Sequence, residues 1–97
     1  MAIFKALNTP PGGAEHGGVE IARIGIVDND LRMSLIRGFD DPAKWGVLAA
    51  DMLKHLSQIY AMETKHSKES AARAMVEAFA QEMAADVPGD APSIAKR

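Results

Sequence analysis

Two carboxylates stand side by side in RGFDDPAKWG, with Arg37 shortly before Asp40 and Asp41 and the chain's only tryptophan, Trp45, shortly after them. A carboxylate pair can do general acid/base work when its surroundings split the two pKa values, which usually takes a pocket. An exposed tryptophan can also anchor a bound small molecule, because large aromatics concentrate at binding surfaces. Arg37, Asp40, Asp41 and Trp45 are therefore the candidate ligand-binding residues. Local structure gives a competing account. Aspartate is among the best helix N-caps, since its side-chain oxygen accepts from an otherwise orphan N–H of the first turn. Proline suits the position that follows, where its fixed φ is helical and its missing N–H costs nothing. The pair Asp41-Pro42 is thus expected to open a helix, with Trp45 as an apolar core or interface anchor whose indole N–H reaches a loop carbonyl, and no catalytic residue is assigned.

Asp51 and His55 stand at i and i+4, so they share one helix face and are the candidate metal ligands. Two ligands do not make a site; His16 falls in a glycine-rich loop and His66 between helices. No metal and no cofactor is expected. The serines show no nucleophile-elbow pattern, and PPGG lacks the Lys and Ser/Thr of a phosphate-binding loop. Arg23, Arg32 and Arg37 form at most a modest cationic patch without the interleaved aromatics of an RNA-binding sheet, so nucleic acid is not an expected partner.

The elements that must position these residues follow from periodicity. Residues 1–18 read as an N-terminal arm and loop: Ile3, Phe4 and Leu7 form a short apolar cluster, and NTPPGGAEHGG breaks regular structure with two prolines and four glycines. From Val19 to Phe39, β-branched and aliphatic residues flank DND, the pattern of a β-hairpin. A two-residue turn at Asn29 and Asp30 places Ile26 opposite Met33 and Ile24 opposite Leu35. One face is then Ala22, Ile24, Ile26, Leu31, Met33 and Leu35. A three-residue loop would spoil that face, so the pattern selects the even loop. The other face, which includes Arg23, Gly25, Val27 and Ile36, is more apolar than a solvated face needs. Its expected cover is the Ile3–Leu7 cluster or another subunit.

Trp45, Leu48, Ala49, Met52, Leu53, Leu56, Ile59 and Tyr60 recur at helical spacing, which predicts an amphipathic helix over residues 41–62. Gly46 within it gives up about 1 kcal/mol of helix propensity relative to alanine, and close approach of another backbone would explain that choice. A second helix is expected over residues 68–85, capped by Ser67 and stopped by VPGD. Residues 88–97 read as a flexible tail.

Composition bounds the rest. Ninety-seven residues with 47% hydrophobic and 25% charged side chains make one globular domain, taken as residues 19–87. A net charge of -2 supplies no field for polyanions or an anionic membrane. The absence of cysteine removes disulfides and thiol chemistry. No segment has the roughly 18 apolar residues of a membrane span, and the expected location is cytoplasmic.

The run EIARIGIVDNDLRMSLIRGFDDPAKWGVLAADMLKHLSQIYA, Glu20 to Ala61, resembles a family of small proteobacterial proteins described as a domain of unknown function. EIARI, DPAKWG and LAADMLKHL carry the likeness, and it brings no functional residues with it. The fold class expected is α+β: a β-hairpin followed by two α-helices packed on one face of the sheet. Two strands alone are marginal in water and leave unpaired edges, so the sheet is expected to extend by dimerisation. The functional expectation is a non-enzymatic homodimeric interaction or accessory module. The alternative is a small-molecule-binding protein with its site at the Asp40–Trp45 corner.

Overall fold

The computed structural model describes residues 2–85 and the backbone of residues 93–96. In chain order these form α1 (Gly13–His16), β1 (Ala22–Val27), β2 (Asp30–Leu35), α2 (Ala43–Glu63), α3 (Lys68–Ala84) and β3 (Ser93–Lys96). The class is α+β, an antiparallel hairpin followed by helices, as the periodicities predict. Two compact units divide the chain, one of Met1–Ile36 with Ser93–Arg97, the other of Arg37–Pro92.

In the first unit β1 pairs antiparallel with β2, Ile26 opposite Leu31, Ile24 opposite Met33 and Ala22 opposite Leu35. The six residues of the predicted apolar face do share a face, but the turn lies one residue earlier than expected. Asp28 and Asn29, at φ 52° and 67°, form it. Positive φ at both central residues is the signature of the tight turn that matches strand twist. Both candidate turns contain two residues and keep the same face together, so alternation could not choose between them. The sheet order is β1-β2-β3, with β3 parallel to β2. Part of the stretch expected to be a tail is therefore a strand, and the edge of β2 left for a partner is taken by the chain itself. Residues 86–92 lie outside the described residues.

The glycine-rich segment also holds more structure than its composition suggests. Gly12 at φ 83° precedes the single turn of α1, and Gly17 at φ 76° ends it by donating its N–H to Gly13 O at 2.9 Å. Upstream, Phe4 lies against the hairpin at Gly25, where a Cβ would come 2.5 Å from Phe4 Cε1 and 2.9 Å from Cζ. Gly25 thus makes room for the ring, and the arm supplies part of the cover expected for that face. The Arg23 guanidinium lies 5.8 Å from the Phe4 ring centroid.

In the second unit α2 and α3 pack as a helical hairpin. Ser67 caps α3 as predicted, its side chain accepting from the Ser70 N–H at 3.0 Å. The turn before it is tied by Thr64, whose hydroxyl donates to Tyr60 O at 2.6 Å and accepts from the His66 N–H at 3.1 Å. Ser57 of α2 and Ala71 of α3 are the buried residues among those described, Ala71 being the buried hydrophobic. Ser57 donates its proton to Leu53 O at 2.8 Å, which leaves Met75 Sδ, at 3.9 Å, as a contact across the helix pair.

Candidate functional site

The corner that opens the second unit is built by short-range bonds. Asp41 Oδ1 accepts from the Ala43 N–H at 3.0 Å. This is the predicted cap, and the helical backbone of Pro42, at φ -58° and ψ -26°, follows it. The Trp45 indole N–H donates to Arg37 O at 2.6 Å, and Phe39 meets the Trp45 ring edge to face at 5.7 Å between centroids. Trp45 therefore holds the entering chain against the first turn of α2. Arg37 approaches Asp40 at 3.5 Å, but both side chains are almost fully exposed. Arg37, Asp40, Asp41 and Trp45 do gather at one corner. Asp41 and Trp45 are committed to the local fold, and Asp40 and Arg37 stand in water.

Asp51 and His55 lie on exposed positions of α2. Among the described residues no group of three His, Cys, Asp or Glu side chains converges as a metal site. The arginines of the expected patch each approach an acid. Arg23 forms a two-point pair with Glu20, at 2.9 and 2.8 Å, and Arg32 lies 3.7 Å from Asp30. Hydrogen bonding to Glu20, and its charge, raise the Arg23 pKa above the usual arginine value, outweighing the small opposing effect of desolvation. The local field of the hairpin is consequently more balanced than its arginines alone suggest.

A more enclosed feature lies between the helices. Gly46, Ala49, Ala50, Leu53, Lys54 and Ser57 of α2, with Ala72, Val76 and Phe79 of α3, line a largely apolar groove of about 250 Å³. Sequence reasoning did not identify the groove as a site. Its signal was there in Gly46, which has no neighbour within 4 Å of where a Cβ would stand. The close approach that this glycine permits is not made by its own chain among the described residues. The stripe predicted to be buried along α2 is also open, with Met52, Leu56, Ile59 and Tyr60 all more than a third exposed.

These features define a small α+β module whose helix pair carries an open apolar groove. The chain belongs to the family described as Domain of unknown function (DUF5076), whose model matches residues 6–87. No curated protein matches it. Among solved structures it is similar to a protein of the photosynthetic bacterium Rhodopseudomonas palustrus CGA009 described as "a putative pyruvate dehydrogenase". The TM-score is 0.76 at 28% identity, over 96% of this chain and 97% of that one. No helix among the described residues is long and apolar enough to cross a membrane.

Proposed function

We propose that the protein is a non-enzymatic accessory module that works as a homodimer. The observation that carries this reading is the scarcity of core: Ala71 is the buried hydrophobic residue among those described. A domain of this size normally hides over half of the surface its unfolded chain exposes and still is only marginally stable. Here large apolar side chains on hairpin and helices alike remain open, Ile26 at 78% and Val76 at 57% exposure. A second copy that covers such faces supplies the burial the single chain lacks.

The side chains favour an accessory role over catalysis. The buried polar side chain, Ser57, already donates to its own helix, and Asp40, Arg37, Asp51 and His55 stand on exposed positions. The similar protein is described as "a putative pyruvate dehydrogenase", and catalysis of that kind is the competing reading. Oxidative decarboxylation of a 2-oxo acid relies on an electron-accepting cofactor and a site that encloses it, and the groove here is open, apolar and small. The small-molecule alternative has less support, since Trp45 is tied into the corner and Asp40 is fully exposed.

Light scattering on a size-exclusion column tests the assembly. The expected mass is twice 10.4 kDa, and a monomer that persists at high protein concentration overturns the proposal.

A further inference from the structure

We propose that the homodimer forms along the free edge of β1, two copies pairing antiparallel about a two-fold axis at Ile24 so that their sheets join into one. The inference rests on the homodimer reading and adds the surface and the register.

Hydrogen-bond parity identifies the open groups. The Ile36 N–H donates to Ile21 O at 3.0 Å, and opposite residues of an antiparallel pair exchange bonds at every second position. Arg23, Gly25 and Val27 therefore turn their backbone groups towards β2, and Ala22, Ile24 and Ile26 turn theirs away. No backbone partner takes these outward groups among the described residues. The edge also lacks the usual guards, for β1 contains no lysine, proline or bulge. What such an edge accepts is another extended strand.

Which strand follows from the side chains. Paired about Ile24, β1 sets Ile26 against the partner's Ala22 and Arg23 against the partner's Gly25, bulky opposite small on both faces, with Ile24 meeting its own copy on the axis. The neighbouring registers lose this match. An axis at Arg23 would bring two like charges directly opposite, which destabilises a pair, and an axis at Gly25 would set isoleucine against isoleucine and glycine against glycine. The strand is thus self-complementary in one register, as a two-fold contact requires. That register also gives about six backbone hydrogen bonds, two for each outward pair. Phe4, which already covers Gly25 and lies 5.8 Å from the Arg23 guanidinium, then has the partner's Arg23 beside its half-exposed ring.

The edge itself carries the apolar area. Ile24, Ile26 and Phe4 are 48%, 78% and 51% exposed. At roughly 200 Å² for a fully exposed residue this comes to about 350 Å² on each copy. A small specific interface needs about 500 Å² per copy, and the backbone ladder adds to the side-chain share.

Amide hydrogen exchange of the wild-type chain, followed by NMR as concentration rises, tests the edge directly. The Ile24 and Ile26 amides should exchange at least tenfold more slowly once the dimer forms. A dimer in which they exchange as fast as in the monomer overturns the inference while the homodimer reading stands, and a wild type that stays monomeric overturns both. The register has its own test, because residue 24 meets itself. Ile24→Lys and Ile24→Glu each set like charges face to face, and sedimentation should show each dimer at least tenfold weaker than the wild type. An equimolar mixture of the two variants should recover association, with lysine opposite glutamate. Variants that dimerise like the wild type, or a mixture that associates no better than its components, overturn pairing at Ile24.

Discussion

Adjacent aspartates with different partners make the sharpest case at the scale of single residues. Asp41 accepts from the Ala43 N–H at 3.0 Å, a bond that satisfies one orphan donor of α2 and places negative charge at the positive helix end. Asp40 faces Arg37 at 3.5 Å with both side chains in water, where such pairs contribute little. Asp41→Ala should therefore cost about 1 kcal/mol, and Asp40→Ala should stay within about 0.5 kcal/mol of wild type. Urea denaturation at one fixed protein concentration distinguishes them, and equal losses would remove the capping account. The roles of Asp41 and Trp45 were legible in the sequence because a cap, a proline and an anchor act within one helical turn. That the Trp45 indole reaches a loop carbonyl was legible as well, but which one, Arg37 O, was not, because a backbone acceptor leaves no mark on residue type.

Among the elements, what could be read depended on whether a choice changed the apolar pattern. Both long helices lie close to their predicted bounds, since fifteen or more residues of helical period leave little freedom. The hairpin turn was misplaced by one residue because both registers keep Ala22 to Leu35 on the same face, and only local backbone preference separates them. That preference is testable. Asn29 holds φ 67°, a conformation glycine adopts without the steric cost other residues bear. Asn29→Gly, which creates the Asp-Gly turn that hairpins favour, should stabilise the protein by a few tenths of a kcal/mol up to about 1 kcal/mol. A thermal melt lower than wild type would speak against the Asp28–Asn29 turn. The short elements escaped prediction for a related reason. α1 is a single turn framed by positive-φ glycines, and β3 pairs with β2 across a long sequence separation. Neither has a length over which periodicity can show.

At the scale of the whole molecule, the open question in the sequence was what the apolar faces meet, and composition has no means of saying whether a face closes on its own chain or on another. The structure narrows it, for with Ala71 as the buried hydrophobic among the described residues, folding and association should be one event. An obligate dimer then melts at a temperature that depends on its concentration, because unfolding releases two chains and mass action favours the dimer as concentration rises. Each tenfold increase adds about 1.4 kcal/mol to the dimer's apparent stability, which for roughly two hundred residues raises Tm by a few degrees. Calorimetry over a hundredfold range should show that climb in the wild type. A melt independent of concentration would mean that the protomer folds alone, and the exposed faces of α2 and α3 would then need a different explanation.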